Sequence, residues 1–441
     1  MNYLRVLFCL IAVYLTGCAA KPSVTFSRPD SAWKMMVEQS PVFAQNHTGF
    51  ALFDLQKQQM VAQHNAERYF VPASNTKLFT FFAGLSMLGD SLPALRYVTR
   101  GDSLIFWGTG DPSFLNPELP ASGVLDFLKN WPGKLFFSAS NHAGKRFGLG
   151  WSWDDFGDYY QSEISPFPIH GNVIRFKINN QQNLFSVQPA FFRGKIEMAD
   201  GPAPKTETKV VRKEFENVFK CQNCGASDYS DDVPYVTSPE LTTQLLAALV
   251  GKEVGLLDLP LARTARTLFS VRADEVYQKM LQESDNMMAE QIMLMCAAQL
   301  DSLPLQTETG IEHVQKTFLN DLPDAPEWVD GSGLSRHNLF TPRSIVKLLQ
   351  KIHEKVPQER LFGLLAIGGK AGTLKNQYKA TEPFVFAKTG TLGGCYNLSG
   401  YLRTKSGKIL VFSFMNNNFV RKTVDIRREV EQILTNIRDT Y

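Results

Sequence analysis

The order of apolar and polar positions along the chain predicts both helices and strands, with a change of character in the middle. Residues 49–55 are mostly apolar and predict a strand, and residues 75–88 predict a helix. Between about residues 91 and 235 the chain is rich in Gly, Pro, Asn and aromatic residues, with short strand-like runs such as 173–178. We interpret this stretch as a β-rich insert, after which a capping start at Ser238 predicts that helices return.

The C-terminal part of the chain predicts a β-hairpin followed by a helix. Two strand-like runs, at residues 396–404 and 409–416, lie on either side of a Lys-Ser-Gly-Lys turn. Ile426, Val430 and Ile433 recur at helical spacing, which predicts a closing amphipathic helix with one buried face.

Composition excludes several classes of protein. The chain has 441 residues, which corresponds to two or three domains at ~150 residues each. Apolar residues make up 44% of the chain and charged residues 20%, so a disordered, collagen-like or coiled-coil protein is excluded. The net charge of +3 is too small to predict nucleic-acid binding. Beyond the N-terminus, no apolar run approaches the ~20 residues of a membrane-spanning helix, which excludes a membrane bundle.

The N-terminus predicts export and lipidation. The apolar stretch at residues 6–16 has the length of a signal peptide and is too short to span a bilayer. It ends in Leu-Thr-Gly-Cys, which resembles the bacterial lipoprotein box, where the cysteine thiol is lipidated. We therefore expect a signal peptide over residues 1–17, a lipid anchor on Cys18 and a tether over residues 18–31. The alternative is an ordinary cleaved signal followed by an unrelated cysteine. Because the next residue is Ala and not Asp, the same resemblance permits sorting to the outer membrane, so we expect a lipoprotein that faces the periplasm.

Two of the remaining cysteines, Cys221 and Cys224, form an isolated C-x-x-C motif. A zinc site needs four ligands and normally shows a second such pair, which the sequence lacks. The seven histidines show no metal-ligand spacing either, so we expect no metal and no cofactor. A local disulfide, formed in an oxidising compartment, is the preferred interpretation, and half of a metal-binding knuckle is the alternative.

Ser74 and Lys77 form an S-x-x-K motif at the start of the first long predicted helix. Residues three positions apart share one face of a helix, so the Lys77 amine can reach the Ser74 hydroxyl. A serine becomes a good nucleophile when a base takes its proton, and a lysine can be that base when burial or a second cation lowers its pKa. Alone the motif is weak, because about two chance copies are expected in a chain of this length, and a helix-capping serine is the alternative.

Two further motifs complete the ordered set found in serine penicillin-recognising enzymes. An S-D-N motif begins at Ser284 and ends at Asn286, and Lys388, Thr389 and Gly390 form K-T-G. Ser284 could relay a proton between the catalytic lysine and the leaving amine, and Asn286 could hold a substrate amide. Lys388 would supply a positive charge, and Thr389 a hydroxyl, for a substrate carboxylate. Gly390 would let a strand backbone approach closely.

The surrounding sequence resembles the class C low-molecular-mass penicillin-binding proteins, the D-Ala-D-Ala carboxypeptidase/endopeptidase family. The matches extend from about residue 49 to residue 416, which is nearly the whole mature chain. The segments that carry the resemblance are residues 72–78, 108–113, 150–155, 283–290, 330–336 and 372–374. The sequence departs from the family pattern at the C-x-x-C motif of the insert and at Cys395, which follows K-T-G-T.

The resemblance implies an α/β peptidase domain with the penicillin-binding and serine β-lactamase-like fold, an antiparallel sheet flanked by helices plus a helical subdomain. Residues 32–90 and 236–441 would form this domain, and residues 91–235 would form the β-rich insert that interrupts it. The resemblance also implies that the backbone N–H groups of Ser74 and Thr391 form an oxyanion hole.

The implied activity is that of a serine-type D-Ala-D-Ala carboxypeptidase, endopeptidase or both. Its substrates would be peptidoglycan stem peptides, and β-lactams would inhibit it covalently as a stalled acyl-enzyme on Ser74. Two alternatives are a catalytically retired, wall-binding lipoprotein on the same fold and a β-lactamase, which would need fast deacylation. An active enzyme is favoured over a retired one because the set of motif residues is intact at Ser74, Lys77, Ser284, Asn286 and Lys388.

Overall fold

The computed structural model describes residues 31–179, 184–198, 207–224, 227–300 and 304–441. The expected signal peptide, the expected lipidation site Cys18 and the tether up to residue 30 lie outside the described residues. Within the described part of the chain, no helix combines the length and the apolar character needed to cross a membrane.

Strands and helices are numbered in chain order over the described residues. The strands are β1 (His47–Asp54), β2 (Gln59–His64), β3 (Ser91–Arg100), β4 (Ser103–Gly108), β5 (Leu135–Ser138), β6 (Val173–Asn179), β7 (Leu184–Gln188), β8 (Ile196–Met198), β9 (Lys209–Arg212), β10 (Phe219–Gln222), β11 (Tyr229–Pro234), β12 (Val254–Leu256), β13 (Arg266–Arg272), β14 (Ala366–Ile367), β15 (Val385–Leu392), β16 (Cys395–Arg403) and β17 (Ile409–Asn417). The α-helices are α1 (Ser31–Glu38), α2 (Lys77–Met87), α3 (Val124–Asn130), α4 (Pro239–Val250), α5 (Ala273–Gln282), α6 (Asn286–Ala297), α7 (Thr307–Phe318), α8 (Pro342–Lys355), α9 (Gln358–Leu364) and α10 (Thr423–Thr440).

A six-stranded antiparallel sheet, in the order β14-β15-β16-β17-β1-β2, forms the centre of the peptidase domain. In β1, Phe50 and Leu52 face one apolar core, whereas Ala51 and Phe53 face another. Because successive side chains of a strand point to opposite faces, burial of both faces produces the continuous apolar run seen at residues 49–55.

Helices cover both faces of this sheet. On one face α1 and α10 pack against the sheet, and Ile426, Val430 and Ile433 are buried as their helical spacing predicts. On the other face α2, α5, α6, α7, α8 and α9 supply the second core. An antiparallel sheet flanked by helices is the arrangement that the sequence resemblance implies, so this expectation is confirmed.

The insert lies between α2 and α5 in the chain. It contains a five-stranded sheet in the order β12-β5-β4-β3-β13 and two three-stranded sheets, β11-β6-β7 and β8-β10-β9. One apolar core that includes Phe106, Phe176 and Phe219 joins the three sheets. Cys221 in β10 forms a disulfide with Cys224, which is the preferred interpretation of the C-x-x-C motif.

The insert extends further along the chain than composition predicts. Strand β13 pairs with β3, and Leu245 of α4 is buried in the core of the insert. The chain therefore returns to the peptidase domain at Ala273, whereas composition predicts the boundary at residue 235. The helix expected after Ser238 is present, and the Ser238 side chain caps it, but this helix packs on the insert.

Candidate active site

Ser74 lies in a short 3-10 turn, Ala73–Thr76, that leads directly into α2. The neighbouring Asn75 side chain donates a hydrogen bond to the Lys388 carbonyl oxygen at 3.1 Å and so fastens the turn to β15. Ala73 has a φ of 48°, a left-handed conformation that a non-glycine residue adopts only when its surroundings hold it there. The Ser74 hydroxyl is therefore fixed between the start of α2 and the sheet.

The Lys77 amine is fully buried and lies beside the Ser74 hydroxyl. The distance from Lys77 Nζ to Ser74 Oγ is 3.1 Å. Two other acceptors hold the amine, Asn286 Oδ1 at 2.6 Å and the Ser332 carbonyl oxygen at 2.7 Å. A neutral amine has two N–H donors and one lone pair. In its neutral form Lys77 can therefore satisfy both outer acceptors and still accept the proton of Ser74.

Burial lowers the pKa of Lys77 to about 8, because the charged ammonium loses its hydration. The carboxylates of Asp330, Asp285 and Glu290 act in the opposite direction and keep the pKa from falling further. A base with a pKa near neutral pH is suited to proton transfer, so this environment fits Lys77 for taking the Ser74 proton.

The backbone segment Gly331–Ser332 connects this lysine to a buried carboxylate. Both oxygens of Glu290 on α6 accept hydrogen bonds from this segment, from Gly331 N at 3.0 Å and from Ser332 N at 2.7 Å. The two carbonyl oxygens point the other way, to Thr80 Oγ1 at 2.6 Å and to Lys77 Nζ at 2.7 Å. Sequence reasoning assigned no role to Ser332, because its contribution is a carbonyl oxygen. The only indication of Ser332 in the sequence is that it lies in residues 330–336, one of the segments that carry the family resemblance.

Each residue of the S-D-N motif has a distinct local position. Ser284 has a φ of 66° and Asp285 caps α6 by accepting a hydrogen bond from Met288 N at 2.8 Å. Asn286 is the first residue of α6, and its Nδ2 donates to the Tyr160 carbonyl oxygen of the insert at 2.9 Å. The cap fixes the start of the helix and thereby places the Ser284 and Asn286 side chains beside the nucleophile.

Lys388 is fully buried, and its amine contacts Ser284. Its Nζ donates to Ser284 Oγ at 2.8 Å and to the Thr389 carbonyl oxygen at 2.7 Å. Burial, and then the positive charge of Lys77, lower the pKa of Lys388 well below its usual value. Repulsion between two buried amines favours a state in which one of them is neutral, and here it acts on Lys388.

The expected contact of Lys388 with a substrate carboxylate stays a prediction. Thr389 and Thr391 line the cavity at Ser74, whereas Lys388 does not. The Thr389 hydroxyl donates to Thr373 Oγ1 at 2.8 Å, so two hydroxyl groups meet at this point of the wall.

Gly390 allows β15 to approach the turn that carries Ser74. A Cβ atom at Gly390 would lie 2.5 Å from the Pro72 carbonyl oxygen and 3.0 Å from Asn75 N. Any larger residue would therefore push the strand away from the nucleophile. In the described residues β14 pairs with β15 only at Phe386 and Ala387, so the stretch that includes Gly390 and Thr391 has no second partner strand.

Ser74 lines a cavity of about 860 Å³ together with Ser284, Asn286, Thr389 and Thr391. Arg336 also lines it and donates from Nη2 to the Gly393 carbonyl oxygen at 2.8 Å. Cys395, one of the departures from the family pattern, is buried directly behind Arg336. Among the described residues there is no cluster of three or more metal-ligating side chains.

The structure thus brings together the predicted residues Ser74, Lys77, Ser284, Asn286, Lys388, Thr389, Gly390 and Thr391. Cys221 and Cys224 belong to the insert and do not line the cavity.

Comparisons with known proteins indicate the family of the chain. The sequence profile of the D-Ala-D-Ala carboxypeptidase 3 (S13) family matches residues 32–437. The chain is 25% identical over 446 aligned residues to the D-alanyl-D-alanine carboxypeptidase DacB of Haemophilus influenzae, with 89% of this chain and 90% of the relative covered. It is 27% identical over 406 residues to a D-alanyl-D-alanine carboxypeptidase of an Actinomadura species, with 79% of this chain and 73% of the relative covered.

The fold also has a solved counterpart. It is similar to the crystal structure of penicillin binding protein 4 (dacB) from Haemophilus influenzae, with a TM-score of 0.71 at 21% sequence identity. The similarity covers 92% of this chain and 98% of that chain, so it includes the peptidase domain and the insert.

The rate at which a β-lactam acylates the protein should rise with pH and level off above about 8, because only neutral Lys77 can take the Ser74 proton. Lys77→Arg keeps a cation that stays protonated, so acylation should slow by a factor on the order of 10² or more and lose this pH dependence. The measurement is the second-order acylation rate constant on both sides of that pH. A wild-type rate that does not change with pH would show that another group takes the proton.

Lys388→Ala should lower kcat/KM by similar factors on a substrate with a free terminal carboxylate and on its methyl ester, because Lys388 holds Ser284 and does not line the cavity. Thr389→Val removes a hydroxyl of the wall without changing its shape. It should lower kcat/KM on the acid by about 10- to 150-fold more than on the ester, as expected for a hydrogen bond to a charged group of ~1.5–3 kcal/mol. If Lys388→Ala lowers kcat/KM more on the acid than on the ester, Lys388 contacts the substrate carboxylate directly.

Proposed function

The chain belongs to the D-Ala-D-Ala carboxypeptidase 3 (S13) family, and we propose that it cleaves D-Ala-D-Ala peptides of peptidoglycan with Ser74 as the nucleophile and Lys77 as its base. The observation that carries the assignment of these residues is the contact of 3.1 Å between Ser74 Oγ and a fully buried Lys77 amine. Burial makes the neutral amine accessible near neutral pH, and neutrality is what a general base requires.

The reaction begins with attack of Ser74 Oγ on the carbonyl carbon of the penultimate D-Ala, while the hydroxyl proton passes to Lys77. The backbone N–H groups of Ser74 and Thr391 bind the oxyanion, each donor contributing roughly 3 kcal/mol to transition-state stabilisation. The leaving nitrogen takes a proton from the Ser284 hydroxyl, which recovers the proton that Lys77 took from Ser74. The 2.8 Å contact between Ser284 Oγ and Lys388 Nζ supports this role by holding the Ser284 hydroxyl in place.

Hydrolysis of the acyl-enzyme completes the cycle. Water attacks the ester carbonyl and gives a proton to neutral Lys77, which returns it to Ser74 Oγ as the acyl bond breaks. A β-lactam carries a reactive amide and a carboxylate in a similar relation, so it acylates Ser74 and stalls at this stage. The complete set of contacts among the motif side chains favours an active enzyme over a retired, wall-binding protein.

Ser74→Ala should abolish both peptide hydrolysis and covalent labelling by a fluorescent penicillin, because no other hydroxyl contacts the Lys77 amine in the described part of the chain. Intact mass after incubation with penicillin is the measurement. Ser406→Ala, in the turn between β16 and β17, is the control and should label like the wild type. Stable labelling of the Ser74→Ala protein would overturn the assignment.

The proposal for location rests on the sequence before residue 31. The Leu-Thr-Gly-Cys box ending at Cys18 supports a lipoprotein that is anchored in the cell envelope, faces the periplasm and is sorted to the outer membrane. Such a location would bring the cavity to its substrate, the peptidoglycan layer. Stable anchoring needs more than one acyl chain, and a lipidated N-terminal cysteine can carry several.

Cys18→Ala should convert the membrane-bound protein into a soluble form or leave an uncleaved precursor, because the lipid attachment point is lost. Fractionation of cells, followed by the mass of the N-terminus, measures the outcome. Cys296→Ala is the matched control, since Cys296 is a buried free thiol of α6 and its loss should leave membrane attachment intact. A processed Cys18→Ala protein that stays in the membrane would require a different anchor.

A further inference from the structure

The Gly331–Ser332 segment lies between two helices of the peptidase domain. On the α2 side, its two carbonyl oxygens accept hydrogen bonds from Thr80 and Lys77. On the α6 side there is no room for a side chain, because a Cβ atom at Gly331 would lie 2.6 Å from the Ala289 carbonyl oxygen. The segment is therefore held from both sides, and its orientation decides where the Ser332 carbonyl oxygen points.

Glu290 of α6 fixes this orientation and is itself only 1% exposed. One of its carboxylate oxygens accepts a hydrogen bond from Gly331 N at 3.0 Å and the other from Ser332 N at 2.7 Å. A carboxylate offers two acceptors to two consecutive N–H groups, whereas an amide does not, because one end of an amide is itself a donor. Without this carboxylate, two buried N–H groups would lose their partners, which is costly inside a protein.

The Ser332 carbonyl oxygen in turn controls the direction of the lone pair on Lys77. A neutral amine has two N–H donors, and on Lys77 these go to Asn286 Oδ1 at 2.6 Å and to the Ser332 carbonyl oxygen at 2.7 Å. With both donors fixed, the lone pair is left for the Ser74 hydroxyl at 3.1 Å. If Ser332 moved, the amine could rotate about its Cε–Nζ bond, and the lone pair would turn away from Ser74.

Charged groups on several elements surround Glu290 and Lys77. Burial, and then the negative charge of Asp330, raise the pKa of Glu290, whereas its hydrogen bonds to the Gly331–Ser332 segment act in the opposite direction. Burial lowers the pKa of Lys77, and the charges of Asp330, Asp285 and Glu290 oppose this effect. The positive charge that faces Lys77 from β15 is that of Lys388. The other titratable side chains that line a small cleft at Glu290 are His142 and Lys145 of the insert and Glu308 of α7.

We propose that Glu290 is a positioning residue of the acylation step. Its carboxylate holds the Gly331–Ser332 segment so that the Ser332 carbonyl oxygen directs the Lys77 amine towards Ser74. The insert lines the cavity at Ser74 together with the peptidase domain, whereas Glu290 does not. Its effect on the reaction is therefore indirect, through the base, and requires no contact with substrate. The inference rests on the proposed function, in which Lys77 takes the Ser74 proton.

The test measures the rate at which penicillin acylates the protein as a function of pH. The plateau rate at high pH reports the position of neutral Lys77, and the pH midpoint reports its pKa. Glu290→Gln should lower the plateau by about 10- to 100-fold, because one acceptor remains for two N–H groups and the base moves. It should also shift the midpoint to lower pH, because burial then lowers the pKa of Lys77 against one carboxylate fewer. The dissociation constant of the non-covalent penicillin complex should change by less than about twofold.

Glu290→Asp separates the reach of the side chain from its charge, and it decides the matter if the Gln variant folds poorly. The shorter side chain keeps a carboxylate but cannot bind both N–H groups in the same position. The plateau should therefore fall as it does for Glu290→Gln, while the midpoint stays at the pH of the wild type.

Glu163→Gln is the matched control for the loss of a buried carboxylate. Glu163 of the insert is also 1% exposed and accepts from Thr237 N and Thr237 Oγ1, each at 2.8 Å, but it does not line the cavity at Ser74. This variant should leave both the plateau and the midpoint unchanged. A wild-type plateau in either Glu290 variant, or an unmoved midpoint in Glu290→Gln, would overturn the positioning role. A wild-type protein that penicillin does not label would instead overturn the proposed function.

Discussion

The site depends on the burial of one amine, that of Lys77. A buried amine needs hydrogen-bond acceptors inside the protein, because burial of an unpaired polar group costs on the order of several kcal/mol of folding free energy. Its three partners come from Ser74 nearby, from Asn286, which is 209 residues away in sequence, and from Ser332, 255 residues away. Satisfying one nitrogen therefore ties α2, the start of α6 and the loop after residue 330 to a common point. The same burial lowers the pKa of the amine, so the interaction that organises the site also supplies its base.

Close packing of backbone against backbone is the second constraint, and it follows from the first. The turn that carries Ser74 is held between β15 and the loop after residue 330. A Cβ atom at Gly390 would meet the Pro72 carbonyl oxygen at 2.5 Å, and one at Gly333 would meet the Ala73 carbonyl oxygen at 2.0 Å. Gly333 also has a φ of 84°, which favours glycine independently of space. Glycine on both sides allows the lysine and serine to stay within hydrogen-bonding distance while both walls remain close to them.

Patterns within short stretches of the sequence predicted the local structure correctly. They could not predict which distant segments contact each other. The strand at residues 49–55 and the helix around Val430 follow from periodicity, because burial sets the pattern directly. The pairing of Ser74 with Lys77 follows from helical spacing. In contrast, the contact of Lys388 with Ser284 joins β15 to the S-D-N loop, so spacing could not distinguish it from a contact with substrate. Composition places the end of the insert at residue 235, whereas α4 packs against the insert. The helical pattern of α4 is genuine, but periodicity does not identify the partner of its apolar face.

The points at which the insert joins the peptidase domain explain why it forms part of the cavity. The chain leaves the domain after α2, the helix that begins with Lys77, and returns at α5, which ends just before Ser284. Both junctions therefore lie on helices that position side chains of the candidate site, and the insert is adjacent to them. The Asn286 side chain spans this junction, accepting from Lys77 on one side and donating to the Tyr160 carbonyl oxygen of the insert on the other. A displacement of the insert wall would thus act on the amide that holds the base.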